Sequence, residues 1–572
     1  VRICLQQLNP TVGDLPGNEA LLLSAIKEAR NADAQLVVFP ELIVSGYPPE
    51  DLLLKQHFLE ECRCVVDRVA AAATGIVALI GFPELDDDAY NSVAVAADGQ
   101  VQGIYRKMRL PNYGVFDEHR YFKAGSAPAV LTVDGTRIGL TVCEDDWVPD
   151  GPATACAHAG ADIIVNLSAS PYQAGKPAER ESMFAQRARD NICAYAICGQ
   201  VGGQDELVFD GSSAVIDHDG EVIARAPQFL TTSVIAEIDA QAVRSARLGD
   251  TRPRASSSTS TANVDDIGAF ATGAPRDGTP HTQSSISQLP HTDEEIYAAL
   301  VCGTRDYAGK NGFDHAVLGL SGGIDSALVL AIAVDALGPD RVTAVVMPSP
   351  YSSEDTQGDA RALAQNIGAG LLEFGIAPAM EIYREVLRPV VEGHPPGLRD
   401  ENLQSRIRGN LLMALSNTFG WLVLTTGNKS ELAVGYSTLY GDSAGGFAVI
   451  KDCPKTLVFR LMALRAARTD AGTIPPTILT RPPSAELRPD QKDSDSLPDY
   501  PVLDAILEGY IEHDLGREQL LERGLPAADI DRTVRLVDLA EYKRRQNPPG
   551  IKVTSKAFGR DRRMPITNRF GN

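Results

Sequence analysis

The chain has 572 residues, more than a single hydrophobic core usually serves, and its 44% hydrophobic and 22% charged residues exclude a fibrous or intrinsically disordered class. With 53 Lys and Arg against 75 Asp and Glu, the net charge of −22 argues against a general nucleic-acid binder and against attraction to anionic membranes. Any anionic ligand must then be met by local cations and oriented backbone amides. Nine scattered cysteines without a CxxC pair fit neither a disulfide scaffold nor a structural zinc site and point to a reducing compartment. The opening VRICLQQLNP has no signal-peptide layout, and no apolar run reaches membrane-spanning length, so a cytoplasmic location is expected.

In the first half, β-rich runs alternate with helical stretches: RICLQQL at 2–8, EALLLSAIKEAR at 19–30, QLVVF at 35–39 and VALIGF at 77–82. Asp98-Gly99, Asp134-Gly135 and Asp219-Gly220 read as hairpin turns, so the sheets cannot be purely parallel. Between 244 and 290 the periodicity gives way to Ser, Thr, Gly and Pro, and this stretch reads as a flexible linker between domains at 1–243 and 291–572. A helix is expected to start at Thr292, with Glu295 at capping-box spacing. The second half alternates more simply: strands at 315–320, 341–347, 369–375 and 421–426, with helices at 326–337, 354–368 and 403–419 between them. Strands separated by helices imply right-handed βαβ units, a parallel sheet and a nucleotide site at the strand C-termini.

One such end carries SGGIDS at 321–326. Gly322 and Gly323 let the backbone turn tightly toward a phosphate, while Ser321, Ser326 and the amides opening the next helix can donate to it. Asp325 would repel phosphate oxygens unless a Mg²⁺ ion lay between them. The plainer alternative is a Gly-Ser turn with a solvated Asp. No Lys follows the glycines, which excludes a Walker A loop.

Strand-SGGxDS-helix resembles the pyrophosphatase loop of ATP-dependent synthetases, which adenylylate a substrate and release pyrophosphate. Downstream, TTGNKSELAVGYSTLYGD at 425–442 resembles the NAD synthetase branch, which amidates nicotinic acid adenine dinucleotide. The resemblance implies a Rossmann-like parallel α/β ATP-pyrophosphatase domain with ATP held by Gly319, Leu320, Ser321, Gly322, Gly323, Ile324, Asp325 and Ser326, and by Met347, Tyr351, Thr426, Lys455 and Ser484. It puts Met347 and Tyr351 beside the adenine, Asn402, Glu431 and Lys543 on deamido-NAD, and Mg²⁺ on Asp325 and Glu431. Where some stand-alone members carry a substrate-binding Lys and Asp, this chain has Leu439 and Gly446. Lys451 and Asp452 are then the alternatives, and the glycines of GDSAGGFAVIKD at 441–452 suggest a mobile cover.

The first half supplies a second chemistry. Glu41 follows an apolar strand among apolar neighbours, Lys107 lies in YRKMRLPNYGVFDEHRYF, and Cys143 ends IGLTV before EDDW. Burial would raise the pKa of Glu41 and suit it to accept a proton, and a neighbouring lysine would favour the thiolate of Cys143. Taken singly, such a Glu is usually solvated and such a Cys is usually a small buried hydrophobe. Together the three segments resemble the nitrilase-like amidases, an α-β-β-α sandwich with an acid-lysine-cysteine triad. The resemblance implies Glu41 as proton carrier, Cys143 as nucleophile, Lys107 with the backbone N–H of Glu144 on the oxyanion, and Glu118 as a supporting acid. It also assigns glutamine to Tyr113, Glu144, Ser170 and Lys176.

Both resemblances in this order fit the glutamine-dependent NAD synthetases, with deamido-NAD, ATP and glutamine as small-molecule substrates. They imply a homo-oligomer and neither nucleic-acid nor membrane partners. Two other readings stay open from the residues: an adenylylating amidotransferase with a different acceptor, and a nucleotide-binding regulator that has kept the folds without turnover.

Overall fold

The computed structural model describes residues 1–250, 263–273, 285–395, 397–470, 472–484, 486–488, 491 and 493–570. They fall into two compact units, Val1–Gln204 with Val208–Pro290, and Asp205–Leu207 with His291–Asn572.

The first unit has a six-stranded sheet in the order Thr232–Glu237, Arg2–Gln7, Leu36–Val38, Val77–Leu85, Ala89–Ala97 and Gln100–Arg106. Its partner has seven strands in the order Val222–Arg225, Ala214–Ile216, Ala194–Gly199, Ile163–Ser168, Thr136–Val142, Ala129–Val133 and Asp265–Phe270. Alternate residues of both sheets share one core: Ile3, Leu5, Leu36 and Val38 from one meet Leu131, Leu140, Val165 and Leu167 from the other. The period of two makes each strand two-faced. Helices Leu15–Asn31 and Gln56–Ala71 accompany the first sheet, and Pro152–His158 and Lys176–Asn191 accompany the second, which completes the α-β-β-α order.

Two of the expected hairpin turns have both central residues left-handed, Asp98 and Gly99 at φ 52° and 79°, and Asp134 and Gly135 at 48° and 83°. That is the tight two-residue turn matched to strand twist. At the third only Gly220 has positive φ, and the loop closes instead through Asp217 N–H to Glu221 at 2.9 Å, with a register shift between Val215 and Ile216.

The stretch expected as a flexible linker carries structure. Helix Ala240–Gly249 runs through residue 243, Asp265–Phe270 pairs in parallel with Ala129–Val133, and Ile286 bridges to Arg225. The remainder of that stretch, 251–262 and 274–284, lies outside the described residues. DDIGAF has little strand propensity; Ile267 and Phe270 packing on the shared core, and the available sheet edge, make it a strand.

In the second unit five strands lie parallel in the order Gly370–Glu373, Val342–Val346, Ala316–Gly319, Leu422–Thr425 and Phe447–Ala448. The chain steps outward from Ala316–Gly319 in one direction, then returns to its other side. This puts the switch point between Ala316–Gly319 and Leu422–Thr425, where open α/β sheets bind ligands. Helix Ile324–Leu337 is buried along ten residues, Ile324 and Ser326–Val334, which matches its apolar sequence on all sides. The helix expected from Thr292 spans Thr292–Lys310, but its cap is His291, whose side chain accepts from Asp293 N–H. Glu295 is buried. Helix Ala377–Val391 was not legible as an element in the sequence.

Candidate functional sites

In the first unit, sheet topology brings four strand ends together. Glu41 lies just beyond Leu36–Val38, while Lys107 and Cys143 directly follow Gln100–Arg106 and Thr136–Val142. Lys107 Nζ donates to Glu41 Oε1 at 2.7 Å and to both oxygens of Glu118 at 2.9 and 2.8 Å. Asn91 donates to Glu41 Oε1 at 2.8 Å, Ala169 N–H to Glu41 Oε2 at 2.9 Å, and Tyr47 to Glu118 at 3.0 Å. Each carboxylate is therefore oriented from more than one side.

Cys143 is left-handed, with φ 42°, which costs a non-glycine residue about 1–2 kcal/mol and persists only where neighbours impose it. A residue that sequence reasoning passed over imposes it here. The buried carboxylate of Asp145 accepts from Val142 N–H at 2.9 Å, Met108 N–H at 3.1 Å, Arg109 N–H at 2.8 Å and Tyr105 OH at 2.7 Å. It ties the segment carrying Lys107 to the turn carrying Cys143. Its signal was present in the acidic EDD following the cysteine.

Burial works against the charge of Lys107, yet Glu118 and Glu41 outweigh it and hold the ammonium above its ordinary pKa. Burial pushes Glu118 up to about 7, with Lys107 opposing and Glu41 adding to the rise. The Cys143 thiol is also pushed up, first by burial and then by Glu41, against a smaller lowering by Lys107. Lys107 does pull the thiol toward the thiolate, as expected, but its charge is shared with two carboxylates, and burial and Glu41 outweigh it. Ser168, at a fourth strand end, offers the thiol a hydrogen bond.

Around the triad, Tyr113 is exposed and donates to Glu144 at 2.9 Å. Ser170 is buried, and Lys176 opens helix Lys176–Asn191 with Nζ 3.2 Å from the Pro171 carbonyl and about 6 Å from the Phe116 and Trp147 rings, at 6.0 and 5.9 Å.

In the second unit, SGGIDS turns between Ala316–Gly319 and Ile324–Leu337. Gly322 has φ 84°, and a Cβ there would stand 2.1 Å from the Thr356 carbonyl, so both conformation and space require glycine. Ser326 Oγ accepts from Ser321 N–H at 3.3 Å, and Ser321 Oγ accepts from Gly323 N–H at 3.2 Å. The serines shape the loop and both line the cavity beside it.

Across the switch point, Lys455 is bonded to Asp325 and, at 3.0 Å, to Glu431. Asn428 donates to Asp325 Oδ1 at 2.9 Å and accepts Glu431 N–H at 3.0 Å as cap of helix Lys429–Val434. Asn428 was missed, although N-x-x-E before a helix is a capping pattern. Burial pushes Glu431 up to about 7, with Asp325 and Asp493 adding to the rise and Lys455 opposing it. Lys455 itself is raised: burial lowers it, but Asp325 and Glu431 prevail. Among the described residues no group of three His, Cys, Asp or Glu forms a metal cage. A metal at Asp325 and Glu431 would complete its shell with phosphate oxygens and water, which fits Mg²⁺.

One cavity of about 660 Å³ is lined by every residue of 319–326 and by Met347, Asn402, Thr426, Glu431, Lys455, Ser484 and Lys543. Tyr351 is not among its walls and is partly exposed. Asn402 accepts from Thr438 at 2.8 Å, and Lys543 holds the carbonyls of Gly435 and Ser437 at 2.7 and 2.8 Å. Ser484 donates to the Gln491 carbonyl at 2.6 Å.

Leu439 lines the cavity and Gly446 does not. Lys451 and Asp452 are not among its walls either: Lys451 binds the Pro548 carbonyl at 2.8 Å, and Asp452 accepts from Val553 and Thr554 N–H at 2.8 and 2.7 Å. The glycines read as a mobile cover have another reason. A Cβ on Gly445 would meet Thr425 at 2.5 Å, and one on Gly446 would meet Leu422 at 2.7 Å, so they let the segment close on the sheet that Phe447–Ala448 joins.

Residues 2–248 match the carbon-nitrogen hydrolase family, and 296–547 match NAD synthase. Over its whole length the chain is 46% identical to a glutamine-dependent NAD(+) synthetase of Thermotoga maritima, covering 99% of that protein. It is 45% identical over its whole length to one of Aquifex aeolicus, covering all of it. Among solved structures, the glutamine-dependent NAD+ synthetase of Acinetobacter baumannii in complex with ADP is 39% identical, with TM-score 0.75 and 99% and 98% of the two chains covered. A glutamine-dependent NAD(+) synthetase from Cytophaga hutchinsonii, at 24% identity and TM-score 0.78, shares the fold. With two such centres on one chain and relatives this similar along its full length, the chain belongs to the glutamine-dependent NAD(+) synthetases.

Proposed function

We propose that this chain amidates deamido-NAD to NAD, consuming ATP and glutamine and releasing AMP, pyrophosphate and glutamate. The observation that carries the reading is that one chain holds both centres: a buried Glu41–Lys107–Glu118 cluster electrostatically coupled to Cys143, and a phosphate loop sharing a cavity with Asp325, Lys455 and Glu431.

In the first centre the thiol of Cys143 attacks the glutamine amide carbon while its proton passes to Glu41, which suits a thiol whose pKa burial raises. The charge of Lys107 and the N–H of Glu144 support the oxyanion, with Tyr113, Ser170 and Lys176 around the glutamine. Collapse breaks the C–N bond, Glu41 returns its proton, and ammonia leaves. Water, losing a proton to Glu41, then hydrolyses the thioester. Glu118 keeps Lys107 charged and in place.

In the second centre a carboxylate oxygen of deamido-NAD attacks the α-phosphorus of ATP as the bond to pyrophosphate breaks. Ammonia attacks the acyl carbon, and AMP departs. The loop amides and Lys455 take the phosphates, Met347 the adenine side, and Asn402 and Lys543 the dinucleotide. Mg²⁺ held by Asp325 and Glu431 would offset charge on the departing pyrophosphate.

Helix Ala377–Val391 presents Ile382, Val386 and Val390, 65, 69 and 81% exposed at four-residue spacing, which supports a homo-oligomer. Nine free cysteines support a reducing, cytoplasmic location. No helix among the described residues is long and apolar enough to cross a membrane.

Incubation with deamido-NAD, MgATP and glutamine is expected to give NAD, AMP and glutamate in equal amounts. ADP in place of AMP, or hydrolysis of glutamine without NAD under any condition, overturns the reading.

A further inference from the structure

We infer that Arg408 is a catalytic residue of the second centre, gripping the α-phosphate of ATP while the adenylyl group moves to the substrate carboxylate. The inference rests on the function proposed above and adds a residue to it.

The cations lining the cavity are committed unequally. Lys455 is bonded to Asp325 and Glu431, and Arg481 to Asp359. Lys543 and Arg406 hold carbonyls of 435–439, near the Thr438–Asn402 contact, on the wall assigned to the dinucleotide. Arg408, from helix Leu398–Phe419, makes one hydrogen bond among the described residues, Nε to the Met347 carbonyl at 3.0 Å. No carboxylate of the described residues forms an ion pair with it, and burial pushes it down to about 10, with Glu486 opposing. An unpaired guanidinium is costly to bury, and the cost is offset when an anion arrives.

Its position selects the anion. Met347 follows strand Val342–Val346, and its Cε lies 3.2 Å from where a Cβ on Gly319 would stand, so Arg408, Met347 and the root of the phosphate loop are neighbours. The loop and the Lys455 cluster serve the departing pyrophosphate, and Met347 serves the adenine. The phosphate between the two is the α-phosphate. Nε is anchored to a carbonyl, which leaves the terminal fork for the non-bridging oxygens of the α-phosphorus. As the carboxylate O–P bond forms and the P–O bond to pyrophosphate breaks, Arg408 stabilises charge on those oxygens. It holds the same phosphate as AMP leaves the acyl carbon.

The test uses the full chain with ammonia as nitrogen source, so the first centre is not needed. Arg408→Gln is expected to lower kcat for NAD formation roughly 10²–10³-fold, the usual scale for a lost transition-state donor. The decisive readout is the kcat/KM ratio for the two diastereomers of ATP carrying sulfur on the α-phosphate. Wild type is expected to prefer one diastereomer, and Arg408→Gln to collapse the preference several-fold, with Arg408→Lys intermediate.

A variant that loses activity yet keeps the wild-type ratio overturns the inference, as does a wild-type ratio near one. If Arg408→Gln does not fold, the ratio in Arg408→Lys decides. A wild-type enzyme that makes no AMP from MgATP and deamido-NAD would sink the proposed function instead, so the two failures are distinct.

Discussion

Each unit contains a lysine bridging two carboxylates, and the two clusters differ in what surrounds them. Lys107 between Glu41 and Glu118 is sealed, with side-chain exposures of 0, 0 and 6%. Lys455 between Asp325 and Glu431 is buried at 2%, but its partners are 19 and 18% exposed and all three line the cavity. A sealed cluster keeps its partners, and in the proposed reaction what moves is a proton between thiol and carboxylate. An open cluster can exchange its partners, and its ammonium can be traded for a metal ion and phosphates. The same three groups are closed off in one place and open to a cavity in the other.

The largest expected effect separates the two centres. Cys143→Ala should lower glutamine-driven NAD synthesis by roughly 10³-fold or more, as loss of a nucleophile does, while ammonia-driven synthesis stays within about twofold. Equal loss with both nitrogen sources would break the comparison.

The next contrast is in stability. Lys107→Met leaves two sealed carboxylates without a counter-charge and should cost about 3–5 kcal/mol, read as a lower Tm that Mg²⁺ does not restore. Lys455→Met should lower Tm less, and millimolar Mg²⁺ should recover much of it, because Asp325 and Glu431 reach the cavity. Recovery of both variants, or of neither, would make the two clusters equivalent.

The smallest effect is a pH dependence. Glu431, pushed up to about 7, must lose its proton to bind a cation, so metal binding releases a proton and tightens as pH rises to that value. In ammonia-driven assays the Mg²⁺ concentration for half-maximal rate should fall about tenfold between pH 6 and 8, then level off. A flat profile would place the metal on groups already ionised at pH 6. The sign for stability runs the other way. A carboxyl raised in the folded state contributes most below its unfolded pKa, and this contribution is lost as pH rises through about 7.

Much of this was legible in the chain. SGGIDS after an apolar run marks a tight turn because the positive φ at Gly322 favours glycine, a local requirement, while the Thr356 carbonyl behind it is a tertiary one. Alternating strands and helices from 315 to 426 yielded the parallel sheet because a βαβ unit has one favoured hand. Asp98-Gly99 and Asp134-Gly135 were legible for the same local reason, whereas Asp219-Gly220 took a longer loop.

Other features were out of reach. Asp265–Phe270 is a strand because the sheet edge at Ala129–Val133, far earlier in the chain, accepts it, and the glycines at 445 and 446 are small because Thr425 and Leu422 stand behind them. Asp145 and Asn428 were passed over because their partners sit on other segments: Met108 and Arg109 for one, Asp325 for the other. Tyr351 shows the converse, a residue carried over by resemblance that does not line the cavity.

Sequence alone determined the turn chemistry, the strand and helix periods, and the identities of the thiol, the acids and the lysines, since these depend on single residues and near neighbours. Tertiary structure decided which charges are paired. How far Lys107 offsets burial at Cys143, and whether Arg408 has a counter-ion, depends on which strand ends and helix faces share a space, and in a low-dielectric interior that placement sets the charge each group favours.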